Sequence, residues 1–218
     1  MSVEAPSVTS SQVSGAVVET FRGFETGALT GVRSTALGTL TATGTTVEAA
    51  GPLGSPTGKG NHLQTDAGST SIVFADPVAY FGVWLTSAAP GTRLHFNTVG
   101  GKGFFLPLDA ILSTDWSGKA SSGNLFATTQ LGDLGQPSAF VNLFATDPDS
   151  RITRITLSGT SLTSDNYSIA TNLTLARGQI LASAEIIPNP EPATIVQLAI
   201  GAISLLGYGW KRGRRTTS

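Results

Sequence analysis

Apolar and polar residues alternate along much of the chain at the two-residue period of a pleated strand. In Ala79–Thr86, Phe81, Val83 and Leu85 share one face while Tyr80, Gly82, Trp84 and Thr86 share the other, and the first set is the natural core face. In Thr92–Asn97, Leu94 and Phe96 point inward and Arg93 and His95 point out. Val99–Gly103 reads as a turn leading into Phe104–Leu108, so the two segments form a hairpin. Ala16–Phe21, Thr70–Ala75, Ala139–Ala145, Ile152–Leu157, Tyr167–Ile169 and Asn172–Leu175 are further strands. Ser34–Thr43 alternates only in part, because Leu37 and Leu40 stand at an odd interval; this predicts a bulge at Gly38. Residues 51–61 form a Gly/Pro loop, and Asp109–Gly135 lacks a clear period. A run of about nine to eleven short strands between turn signals predicts an all-β domain, a β-sandwich of the jelly-roll type.

The pattern changes after residue 187. A Pro-rich tract ends in Pro190-Glu191-Pro192, and Ala193–Trp210 follows as 18 residues without a charge. As a helix this run would rise about 27 Å, close to the roughly 30 Å of a bilayer core. Ala193, Ile195, Leu198, Ile200, Leu205, Leu206 and Trp210 supply the apolar surface of such an anchor. Lys211, Arg212, Arg214 and Arg215 follow directly and, by the positive-inside rule, keep that end in the cytoplasm. The chain then divides into a polar arm (1–14), an exported β-sandwich (15–187) and a tail (188–218) with one C-terminal transmembrane helix. A buried soluble helix is the alternative for the apolar run, but such helices rarely stop in four positive charges.

The tail, in the order Pro-Glu-Pro, apolar span and Arg-rich end, resembles the PEP-CTERM protein-sorting signal of exopolysaccharide-producing Gram-negative bacteria. Pro190, Glu191 and Pro192 match its motif residue by residue, while Gln197 and the Tyr208–Trp210 ending depart slightly from the usual span. The resemblance implies an exported protein: a precursor anchored in the inner membrane, handled by an exosortase-like processing enzyme, then found at the cell surface or outside the cell. An exported protein should also open on a basic and then apolar leader. Met1–Gly15 is polar throughout, so a leader is expected upstream of Met1.

Charge changes the picture of partners. Without the four tail cations and Glu191, residues 1–190 hold 9 Lys/Arg against 13 Asp/Glu. An acidic domain argues against nucleic acid, whose binding rests on neutralising phosphates. Cysteine is absent, which removes disulfides, thiolate metal sites and Cys nucleophiles.

Enzyme signatures are weak, and no catalytic residue is assigned. His62 and His95 lack metal-ligand spacing; residues 54–59 imitate a P-loop, but Leu53 and Gly60 stand where Gly and Ser/Thr are required. Asp147 and Asp149 read as turn residues between two strands. The strands themselves loosely resemble domains carried ahead of PEP-CTERM tails, through Val78–Val83, Ile152–Leu157 and Asp165-Asn166-Tyr167. Those domains look like galactose- or carbohydrate-binding jelly rolls. That resemblance implies a non-catalytic module associated with extracellular polysaccharide, with Glu25 and Asp165 as ligands of a structural Ca²⁺. Sugar rings pack on accessible aromatic side chains, so Tyr80, Trp84 and Trp116 are the candidate ligand contacts, with a covered face as the alternative for Tyr80 and Trp84. A permanently anchored structural or adhesive protein without sugar affinity, and a matrix polysaccharide hydrolase, are the competing readings.

Overall fold

The structure, a computed structural model, describes residues 2–3, 10–11, 13–49, 60–112, 130–131, 137–172 and 187–188. The strands are β1 (Ser2–Val3), β2 (Val17–Glu19), β3 (Gly27–Ala28), β4 (Val32–Thr35), β5 (Gly38–Ala49), β6 (Asn61–Val78) and β7 (Tyr80–Ser87). They continue as β8 (Arg93–Thr98), β9 (Gly103–Pro107), β10 (Gln130–Leu131), β11 (Pro137–Phe144), β12 (Ile152–Gly159), β13 (Leu162–Ala170) and β14 (Ile187–Pro188). One helical turn, α1 (Leu108–Leu112), interrupts them. The protein is therefore all-β in its described part, built on an antiparallel sheet that curls into a half-barrel.

The curl comes from β5 and β6. These two strands pair along nearly their whole length, from Gly38↔Phe74 to Ala49↔Asn61. On its other edge β6 pairs with β13 through Leu63–Thr65, then with β12 from Gly68 to Val73. The hairpin thus runs from one part of the sheet into the other and bends between them. At the bend the register slips between Thr43 and Thr45, and Gly44 and Ala67 both take positive φ (57° and 65°). Gly68 is required there by close approach: a Cβ on it would sit 1.9 Å from the Thr43 carbonyl oxygen.

Two sequence expectations change. The bulge lies at Gly44, not Gly38; Thr35 pairs with Gly38 across a tight turn at Ala36 and Leu37. That turn, rather than a bulge, lets Leu37 and Leu40 both reach the core at 1% and 0% exposure. Strand β6 also begins nine residues before Thr70, so residues 61–69 belong to the sheet. The expected strand Tyr167–Ile169 is the end of the nine-residue β13, and residues 173–175 of the last expected strand lie outside the described residues.

Inside the curl, Phe81, Val83, Leu85, Leu94, Leu106, Ile155, Leu157 and Ile72 form the centre of one core. Each such side chain contributes about 1.5–3 kcal/mol on burial. Tyr167 joins them, edge-on to Phe21 (5.1 Å) and Phe81 (5.9 Å), with its hydroxyl 2.8 Å from Ser164 Oγ. Burial raises the Tyr167 pKa well above that of a free phenol. One compact unit spans Met1–Ile187, and a second begins at Pro188.

Candidate functional site

The strands β11, β7 and β13 are buried on both faces, and the face turned away from the core brings several sequence candidates together. Phe140 lies opposite Trp84, Asn142 opposite Gly82 and Phe144 opposite Tyr80. On the other side of β7, Asp165 pairs with Trp84, Ser168 with Gly82 and Ala170 with Tyr80. Tyr80, Trp84 and Asp165 therefore share one face. Their exposures are 0%, 6% and 1%, so the two rings form no accessible stacking platform, and the covered alternative describes them.

Two of the three make polar contacts within the sheet. The Tyr80 hydroxyl donates to Asn142 Oδ1 at 2.6 Å across the bare backbone of Gly82. Asp165 Oδ1 accepts from the Asn166 N–H at 2.7 Å, where a register slip puts Asn166 at a φ of 49° and returns Tyr167 to the core. Trp84 Nε1 and Thr86 Oγ1 are buried and have no hydrogen-bond partner among the described residues.

Glu25 is elsewhere. It is exposed on a surface pocket of about 520 Å³ with Phe24, Leu29, Arg33 and Ser34, a lining that does not include Asp165, which is buried beside Trp84. Among the described residues no group of three or more His, Asp or Glu is placed to hold a metal ion. Trp116 lies outside the described residues, as do Pro190, Glu191, Pro192, the apolar run 193–210 and the cations 211–215. No helix among the described residues is long and apolar enough to cross a membrane.

The histidines are far apart in role. His62 is 4% exposed on β6, with Nε2 3.6 Å from Glu48 on β5; burial lowers its pKa, and Glu48 opposes that shift. Asp147 organises a turn: its Oδ1 accepts the Ser150 N–H at 2.9 Å, and Ser150 Oγ accepts the N–H groups of Thr146 and Asp147. The bond from the Ser150 N–H is the main cause that holds the Asp147 carboxyl below its usual range.

The accessible face lies on the opposite part of the curl, outside β9, β8, β12, β6, β5 and β4. Its strand registers align three rows of outward positions. The middle row is Phe105, His95, Thr156, Ser71, Thr41 and Val32. Flanking it are Arg93, Ser158, Ser69 and Thr43 on one side, and Asn97, Arg154, Val73, Thr39 and Ser34 on the other. None of these positions is buried, whereas the alternating residues Leu94, Leu106, Ile155, Leu157, Ile72 and Leu40 are at most 1% exposed. Six strands give a face about 24 Å wide.

Its chemistry is polar and cationic. The Arg93 guanidinium sits over the Phe105 ring at 5.2 Å, and the His95 ring is 5.9 Å from the same ring. Burial, helped by the Arg93 charge, lowers the His95 pKa, so the imidazole is neutral at neutral pH. Thr156 Oγ1 donates to Ser71 Oγ at 3.0 Å, and Ser71 donates in turn to the Ile155 carbonyl at 3.1 Å. No carboxylate occupies any of the three rows, and among the described residues neither Arg93 nor Arg154 has an ion-pair partner.

The outward direction of Arg93 and His95 is legible in the sequence; their partner Phe105 was missed. The signal exists, because a tight turn at Val99–Lys102 sets the hairpin register and places Phe105 opposite His95. Searches of protein-family models, curated proteins and solved structures gave no match to this chain, so the chemistry of this face is read from its own residues.

Proposed function

We propose that this chain is an exported, non-catalytic β-sandwich module of jelly-roll type. Its tail anchors the precursor and presents Pro190-Glu191-Pro192 to an exosortase-like enzyme, and the processed domain works in the exopolysaccharide-bearing matrix at or beyond the cell surface. One observation carries the reading: the Pro-Glu-Pro tract, the uncharged span and the basic cluster occur in order, directly after the compact β unit stops at Ile187. Proline has no backbone donor and disfavours helix at the residue before it, properties that suit a Pro-Glu-Pro tract to a processing enzyme. A non-catalytic role is supported by the placement of the titratable groups: His62 is buried against Glu48, and Asp147 is used up in a turn.

The test is the fate of the C-terminus. In a host with an exosortase-like enzyme, mass spectrometry should find the mature protein cut near residues 190–192, and Glu191→Ala should leave membrane insertion intact while the uncut form accumulates. An unchanged C-terminus whether or not the enzyme is present would sink the sorting reading and leave a permanently anchored protein.

A further inference from the structure

We propose that the outer face of β9, β8, β12, β6, β5 and β4 binds an acidic, carboxylate-bearing polysaccharide, with Arg93 and Arg154 as its charge contacts. This deepens the function proposed above and rests on it only in placing the face outside the cell.

Charge complementarity selects an anion. Residues 1–190 are acidic as a whole, with 9 basic against 13 acidic residues, yet the three rows of the face hold two arginines and no carboxylate. A planar guanidinium without an ion-pair partner among the described residues presents a two-pronged donor that matches a carboxylate. Arg93 and Arg154 stand on neighbouring strands four residues apart along the sheet, so their backbones are about 14 Å from each other. That span needs a ligand extended over several repeats rather than a single small anion.

The remaining groups select a glycan among anionic polymers. Between and beside the arginines are Asn97, His95, Thr156, Ser71 and Thr41, which offer hydroxyl, amide and imidazole groups to sugar hydroxyls. A bilayer surface would favour protruding large apolar residues, but Phe105 is half-buried beneath Arg93 and only Val32 and Val73 stand out. A nucleic acid would demand many more phosphate-neutralising cations than two. The three rows run without a break across six hydrogen-bonded strands, which suits an extended chain.

The experiment uses the full chain in a neutral detergent. Binding is measured by calorimetry to polygalacturonate, dextran sulfate, neutral dextran and phosphatidylglycerol vesicles. The wild type should bind polygalacturonate, more weakly as salt rises, and ignore dextran. Arg93→Gln with Arg154→Gln should weaken that binding by about tenfold or more, because two charge-assisted contacts are lost. Arg22→Gln with Arg33→Gln, two exposed cations off the three rows, should bind as the wild type does. Far-UV circular dichroism checks that both variants fold. The proposal is overturned if polygalacturonate is not bound, if dextran is bound equally, or if only dextran sulfate or the vesicles capture the protein. Equal loss in both double variants would mean non-specific attraction and would overturn it too. Because purified protein is used, a failure here leaves tail processing standing, and a failure of processing leaves this binding untouched.

Discussion

Gly82→Ala tests the packing that turns the Tyr80–Trp84 face into structure. The added Cβ would lie 2.2 Å from the Tyr80 hydroxyl oxygen and 2.7 and 2.9 Å from Cε1 and Cζ of Phe140. Tyr80 can withdraw only by disturbing its 2.6 Å bond to Asn142, and losing a buried bond of this kind costs about 1–3 kcal/mol. Phe140 is 0% exposed on a strand paired to β7 over Ala139–Phe144, so its ring has little room to shift; overpacking of that kind costs about 1–3 kcal/mol. Together these give about 3 kcal/mol, and with roughly 2–4 °C per kcal/mol in a chain of this size the melting temperature should fall by about 6–12 °C. Thermal unfolding followed by circular dichroism gives the number. Tyr80→Phe in the Gly82→Ala background removes the nearest clashing atom and should cost less than the two single changes added together. A melting temperature within about 2 °C of the wild type for Gly82→Ala, or strict additivity in the double variant, would refute the close packing described.

Gly68→Ala should be worse than Gly82→Ala, because its Cβ would meet backbone, 1.9 Å from the oxygen and 2.7 Å from the carbon of the Thr43 carbonyl. A loss above about 3 kcal/mol in urea unfolding is expected, and a near-neutral result would mean that β5 and β6 do not bend as described. Gly23→Ala is the contrast: nothing lies within 4 Å of its Cβ and its φ is not positive, so it should stabilise by up to about 1 kcal/mol by restricting the unfolded chain. The pKa of His62 is lowered in the folded state by burial, so the unfolded state binds its proton more readily. Its neutral form therefore supports folding fully above the ordinary histidine pKa of about 6.5, and that support is lost as pH falls toward the lower folded value. Melting temperature between pH 7.5 and 5 should drop more in the wild type than in His62→Asn; parallel profiles would rule this out.

Local alternation alone settled which residues of β7 and β8 face the core, because a strand's side chains change sides at every residue whatever surrounds it. Phe81, Val83, Leu85, Leu94 and Phe96 are buried, and Arg93 is exposed, as that period requires. The turn at Val99–Lys102 carried the register of β8 and β9 as well, and with it the meeting of His95 and Phe105. Other features needed contacts between residues far apart in the chain. Gln64, Asp66 and Gly68 make the start of β6 look like a loop, and only its ladders to β5 and β13 hold it as a strand. The odd spacing of Leu37 and Leu40 is compatible with either a bulge or a turn, and the Thr35–Gly38 pairing chose the turn. Tyr80 and Trp84 lie on the side of β7 that period 2 leaves for solvent, yet the folded unit buries them. Periodicity assigns a side chain to a face; whether that face meets water is decided by what packs on it. The same distinction applies to the cationic face, since Arg93 and Arg154 are 61 residues apart in the chain and come onto one face of adjacent strands only when β12 pairs with β8.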